Sequence, residues 1–178
     1  MPTSHPLLLS PAPSKCSLEM LAHHYGDIYE HSPWVAEAAW QHGLTEAHDT
    51  PDALAELMGL MLQQASSEQQ IKVIQAHPDL AGKAAMAGEL TQDSTSEQAG
   101  AGLDQCSPEE FARFEYLNAA YKEKFGFPFV IAVKGLDQHG ILAAFEERLH
   151  NDAATERQTA IEQIIRIARF RLRARAEQ

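Results

Sequence analysis

Ser107-Pro108-Glu109-Glu110-Phe111-Ala112-Arg113-Phe114-Glu115-Tyr116-Leu117-Asn118-Ala119-Ala120-Tyr121-Lys122-Glu123-Lys124-Phe125-Gly126 decides the fold class. A hydroxyl residue followed by proline marks a helix start, because Ser107 can cap free amides while Pro108 lacks an N–H where none would be bonded. Gly126 marks the stop, since glycine tolerates the left-handed conformation common just past a helix end. Between them Phe111, Phe114, Tyr121 and Phe125 contribute to one apolar stripe, so the segment 108 to 125 reads as a helix with one buried face.

The same punctuation recurs at Ser32-Pro33 and Thr50-Pro51. It predicts helices near 33 to 42, ending at Gly43, and near 51 to 65, where Leu54, Leu57, Met58 and Met61 form the stripe. Apolar spacing places further helices at about 17 to 28, 67 to 76, 80 to 87, 95 to 102, 138 to 150 and 153 to 174. The expected architecture is an all-α, single-domain bundle of about eight to nine helices. One stretch reads differently: Pro128-Phe129-Val130-Ile131-Ala132-Val133 is strand-like but too short and solitary to build a sheet. Its backbone groups need partners elsewhere, either neighbouring side chains or a polar ligand.

Length and charge narrow the function classes. The 178 residues fit one domain with an ordinary core. A formal charge of -11 argues against nucleic acid as a partner, because phosphate binders cluster Lys and Arg. Cys16 and Cys106 are the two cysteines, which leaves no disulfide framework and no paired metal or redox spacing. No apolar run approaches the roughly 20 residues needed to span a bilayer, so no membrane partner is expected. The first stretch, Met1 to Cys16, has three leucines but no basic region before them, and it reads as a loose tail rather than a signal. These features fit a cytoplasmic protein, with residues 17-176 as the helical domain.

Nine histidines raise the question of a metal. None are three or four residues apart, and no His-Glu-x-x-His run occurs, so no metal site is expected. His77 differs from the others because Pro78 follows it. Proline disfavours helix at the preceding residue, so the helix carrying Ile71 and Ile74 should end near Ala76 and leave the imidazole on an extended turn. Such a group is either a surface histidine at a helix end or a general acid or base working near neutrality.

Ser94-Thr95-Ser96-Glu97-Gln98 is the second candidate. Ser94 and Glu97 have the spacing of a capping box, which by itself explains both. The following Ala99, Gly100, Ala101 and Gly102 would let an anionic group approach a helix N-terminus. In the last helix Ile161, Ile164, Ile165, Ala168 and Leu172 form a stripe bordered by Arg169 and Arg171. Either arginine can lay its stem over the core with its head in water, or present a rigid fork to a carboxylate. Helical spacing does not choose between these.

Taken together, the blocks Tyr29-Glu30-His31-Ser32-Pro33-Trp34-Val35, His77-Pro78-Asp79-Leu80-Ala81-Gly82, Ser94 with Glu97-Gln98-Ala99-Gly100-Ala101-Gly102, and Tyr121 through Ile131 resemble the OHCU decarboxylase family. The resemblance implies an all-helical, homodimeric enzyme. Its substrate would be 2-oxo-4-hydroxy-4-carboxy-5-ureidoimidazoline (OHCU), the product of hydroxyisourate hydrolysis in urate breakdown, and its products (S)-allantoin and CO2. It implies His77 as the catalytic imidazole and Glu97 as its partner carboxylate. Pro78, Ser94 and Gln98 fall on substrate-contacting positions, and Phe129, Val130, Ile131 and Ala132 on a backbone-contact strip. The substrate arginine falls on Arg171. No cofactor is implied, because the ring imine of such a substrate can take up the electron pair left by CO2. Two other classes compete with this reading: a non-enzymatic helical interaction domain and a metal-dependent hydrolase.

Overall fold

The computed structural model describes residues 5–82, 85 and 87–177, and it is all-α. Eight helices are described: α1 Leu18–Tyr25, α2 Trp34–His42, α3 Pro51–Gln64, α4 Ser67–Gln75, α5 Gln92–Gly100, α6 Pro108–Phe125, α7 Gln138–Arg148 and α8 Ala153–Ala176. No strand occurs among the described residues, and residues 128–133, read as a short extended connector, belong to no helix or strand. The helix expected at 80 to 87 falls partly on Lys83, Ala84 and Met86, which lie outside the described residues.

Two of the three Ser/Thr-Pro starts form as read. Thr50 caps α3 by accepting the Ala53 amide, and Ser107 caps α6 within a reciprocal capping box completed by Glu110. Gly126 closes α6 in the left-handed conformation, φ 78°. The third start differs: Pro33 already has helical dihedrals and is itself the N-cap of α2. Ser32 Oγ instead donates to the Glu30 carbonyl at 3.0 Å. The preceding His31 is held at φ 52°, so the chain enters α2 through a tight local turn that engages the hydroxyl first.

The chain forms two compact units, residues 1–73 with 165–178, and residues 74–164. In the first, Leu21, Tyr25, Ile28, Leu54, Met58, Leu62, Ala168 and Leu172 are buried. A Cβ on Gly59 of α3 would lie 3.0 Å from Ile165 Cγ2, so the glycine permits close approach to the end of α8. Residues 9–16 of the segment expected to be loose are docked here. Leu9 is buried and its amide donates to the Asp49 carbonyl at 2.8 Å. Ser14 donates to the Asp49 carboxylate from both N and Oγ at 2.8 Å, and Tyr25 donates to the Pro11 carbonyl. The acidic side chain of Asp49 thus gives residues 9–16 a polar anchor that composition could not reveal.

In the second unit Phe114, Leu117, Tyr121, Phe129, Ile141, Phe145, Ile161 and Ile164 are buried. Phe129 and Phe145 stack with centroids 3.9 Å apart and planes 8° from parallel, and the Tyr121 ring meets both edge-on. Each such ring contributes about 1.5–3 kcal/mol by leaving water. The cluster fixes α6, α7 and the 128–133 connector as one packed body.

Candidate active site

Of the expected site residues, His77, Pro78, Ser94, Glu97, Gln98 and Phe129 to Ala132 belong to the second unit, while Arg171 belongs to the first. Helix α4 stops at Gln75, two residues before His77, as the His77-Pro78 step requires. The His77 amide still reaches the Ile74 carbonyl at 3.1 Å, which tightens the exit. The imidazole is not a surface group, because His77 is only 8% exposed.

The turn after it is held by two neutral amide side chains. Gln98 accepts the Ala81 amide at 3.1 Å and donates to the Asp79 carbonyl at 3.2 Å. Asn118 of α6 donates to the Leu80 carbonyl at 2.9 Å. Ala81 sits at φ 51°, a conformation a non-glycine residue holds only where its surroundings impose it. Asp79 is further tied by an ion pair with Lys122 at 2.7 Å. The backbone carrying His77 is therefore fixed by α5, α6 and its own exit from α4.

Helix α5 begins earlier than the sequence reading placed it, and this changes the roles of its residues. Its cap is Thr91, which accepts the Ser94 amide at 3.2 Å. Ser94 is not an N-cap, so Ser94 and Glu97 do not form a capping box. Ser94 and Gln98, one helical turn apart, are both buried, and Glu97 is half-buried between them. Since Gln98 grips the 79–81 turn, this face of α5 is drawn to the segment that follows His77. The small residues also lie at the opposite end from the one expected. Ala101 is the C-cap of α5 and Gly102 follows at φ 78°, where a Cβ would lie 2.7 Å from Gln138 Nε2. They close a helix and admit a neighbouring side chain, so no anion-binding N-terminus is formed by them.

In the connector, the Val130 carbonyl accepts Arg148 Nη1 at 2.7 Å and the Ala132 amide donates to Gln163 Oε1 at 2.9 Å. Neighbouring side chains thus satisfy these two groups, the first of the alternatives left open by the sequence. Arg171 is 5% exposed, and its fork donates to Glu30 Oε1 at 2.9 Å and to the Ile28 carbonyl at 3.2 Å. Arg169 is half-buried, and its Nε is buried with no hydrogen-bond partner among the described residues.

Sequence reasoning missed Asn118, Gln163, Arg148, Asn151 and Glu156, and it took Tyr121 for an apolar-stripe residue without its bond to Glu156. A signal for Asn118 existed: it lies at helical spacing between Phe114 and Tyr121, an amide on the buried stripe of α6. The groove in the first unit lined by Trp34, Glu37, Met61 and Gln69 contains none of the expected site residues.

The chain matches the family model for OHCU decarboxylase over residues 14–173. It is 41% identical over 151 residues to a 2-oxo-4-hydroxy-4-carboxy-5-ureidoimidazoline decarboxylase of Haloferax volcanii, covering 85% of this chain and 86% of the relative. A protein of the same description from Amia calva is 39% identical over 157 residues, covering 88% and 87%. A crystal structure of (S)-allantoin synthase superposes with a TM-score of 0.72 at 30% identity, covering 92% of this chain and 52% of that one. A crystal structure of an OHCU decarboxylase in the presence of (S)-allantoin gives a TM-score of 0.68 at 21% identity, a likeness of fold, covering 85% and 96%.

Proposed function

The chain belongs to the OHCU decarboxylase family, and on that premise we propose that it releases CO2 from OHCU to give (S)-allantoin in urate degradation. The observation that carries the reading is the clamped turn. A buried imidazole sits on backbone held by Gln98 and Asn118, and the same Gln98 belongs to the helix face that bears Ser94 and Glu97. General acid–base chemistry requires a titratable group held in fixed geometry, and this arrangement supplies one.

In the reaction the bond between C4 and the carboxylate breaks, and its electron pair passes into the conjugated ring imine. The 4-hydroxyl loses its proton and becomes the product carbonyl, while one proton arrives at C5 and a second, drawn from solvent, at the former imine nitrogen. His77 takes the hydroxyl proton, with Glu97 as the carboxylate that orients the imidazole. Pro78, Ser94 and Gln98 line the substrate, with Gln98 using what remains of its amide after gripping the turn. Peptide groups of Phe129 to Ala132 bind the ureido and ring amides. Delivery of the C5 proton to one face sets the handedness.

Arg171 takes the role of holding an anionic oxygen, and Glu30 fixes its fork. A specific observation favours a second reading of this arginine, since its fork already serves Glu30 and the Ile28 carbonyl at a buried position. In that reading Arg171 is structural. No helix among the described residues is long and apolar enough to cross a membrane. We further read the protein as a cytoplasmic homodimer, which light scattering on the purified protein and cell fractionation test. The activity is tested by generating hydroxyisourate from urate, hydrolysing it enzymatically, adding the protein and following allantoin by circular dichroism. Accelerated, optically active product is expected, and racemic product at the spontaneous rate overturns the reading.

A further inference from the structure

Glu156 is completely buried, yet it has a full set of donors from three elements of the second unit. Arg148 donates to it from Nε at 3.0 Å and from Nη2 at 2.8 Å, Asn151 donates at 2.9 Å, and the Tyr121 hydroxyl donates from α6. These donors hold the carboxyl below its ordinary value, against burial, which is the largest influence and acts the other way. The remaining arm of Arg148 does not serve Glu156. Its Nη1 reaches the Val130 carbonyl at 2.7 Å, and its guanidinium lies 4.4 Å over the Phe129 ring, which is stacked on Phe145.

Such a buried ion pair is a poor source of stability, since apolar residues of the same volume do as well or better. What it supplies is a rigid fork at a defined place, with its face and all three nitrogens engaged. The fork holds Val130, and Gln163 holds Ala132 by its amide, so the anchored groups are two residues apart. Anchoring 130 and 132 to Arg148 and Gln163 leaves the N–H and C=O of Ile131 between them, and neither is hydrogen-bonded among the described residues.

We propose that Arg148, locked by Glu156, Tyr121 and Asn151, is a positioning residue that, with Gln163, aims the peptide groups of Ile131 at the ureido group of the substrate. This rests on the reading that the 129–132 strip contacts substrate. Neither side chain touches a reacting atom. Their effect is on binding geometry and on which face of the ring receives its proton.

The test uses the full-length protein with Arg148→Lys, which keeps the charge for Glu156 but cannot fork to Val130, and Gln163→Met, which removes the milder, half-buried anchor. Asp137→Ala is the control for lost stability, since Asp137 caps α7 by accepting the Gly140 amide at 2.8 Å and does not bond the strip. Melting temperature, kcat, KM and the enantiomeric excess of allantoin are measured for each. Both anchor variants should raise KM by about tenfold or more and lower the enantiomeric excess, whereas the control should lower only the melting temperature. Should Arg148→Lys not fold, Gln163→Met decides alone. Wild-type KM and handedness in the folded anchor variants overturn the role assigned to Arg148 and Gln163. A wild-type protein that leaves allantoin formation at its spontaneous rate overturns the substrate reading and this inference with it.

Discussion

Replacing Gln98 by Met removes both hydrogen bonds of the clamp at nearly constant volume. The Ala81 amide at 3.1 Å and the Asp79 carbonyl at 3.2 Å lose their partner, and Ala81 is only 3% exposed. An unsatisfied buried group costs about 1–3 kcal/mol, so two together, one of them partly exposed, should cost about 2–4 kcal/mol. For a chain of this size each kcal/mol shifts Tm by roughly 2–4 °C, which predicts a fall of about 5–15 °C by thermal denaturation. The turn also carries His77, and a shift of about 1 Å in a reacting group can cost about 10²-fold in rate. Loss of kcat per folded molecule on that order is expected by circular dichroism of allantoin. Asn118→Leu removes a donor 2.9 Å from the next carbonyl of the turn, and it should reproduce the rate loss although Asn118 has no assigned contact with substrate. The reasoning is refuted if both variants melt lower yet decarboxylate at the wild-type rate per folded molecule, or if neither melts lower.

Further outcomes follow from other parts of the structure. His77→Ala should lower activity by about 10²–10⁴-fold per folded molecule, beyond the fall in Tm expected for truncating a buried side chain. Glu97→Gln should lose activity without loss of stability, whereas Thr91→Ala, which deletes the true cap of α5, should cost about 1 kcal/mol in a denaturant titration. Arg171→Ala removes the cation paired with the buried Glu30 carboxylate and should destabilise by about 3–5 kcal/mol. Comparison with Arg169→Ala, rate per folded molecule, identifies the anion-holding arginine. Glu156 is held below its ordinary value of 4.5 in the folded state, so as pH falls through that value the unfolded chain takes up the proton first. Its stabilising contribution is present above that pH and is lost as pH drops through the lower folded value. Denaturation midpoints measured from pH 6 down to pH 3 should show this slope in the wild type and a shallower one in Glu156→Gln.

Helix-forming segments were legible because their signals are local. Ser107-Pro108 with Gly126 bounds α6 to the residue, and Thr50-Pro51 starts α3 as read. Ser32-Pro33 carries the same signal, yet a competing bond from Ser32 to the Glu30 carbonyl moves the start by one residue. The reading of Ser94 as a cap failed for a related reason. Thr91 stands three residues earlier with an equally good hydroxyl, and only the packing of Gln98 against the 79–81 turn shows which was used. His77 stands out as a candidate through Pro78, but its burial is not legible in the sequence, since exposure depends on residues far along the chain. Glu156 and Arg148 lie eight residues apart across a helix boundary, a spacing that no helical periodicity connects. The same holds for Asp49 and Ser14, whose pairing turns an apparent tail into part of the first unit.

The turn that bears His77 is fastened largely by carboxamides, and carboxamides have no charge to lose. On the proposed mechanism, a side chain that gains and surrenders a proton at every cycle is thus mounted, the Asp79–Lys122 pair apart, on fittings indifferent to acidity and little affected by salt. Cyclic changes in the imidazole's charge need not loosen its own footing. The same choice sets a limit on endurance, because Gln98 and Asn118 can hydrolyse slowly to acids on ageing. A negative group formed there would face the carbonyl oxygens of Asp79 or Leu80, so chemical wear of this protein should show first as a drifting turn and a slowing enzyme, before the rest of the helices give way.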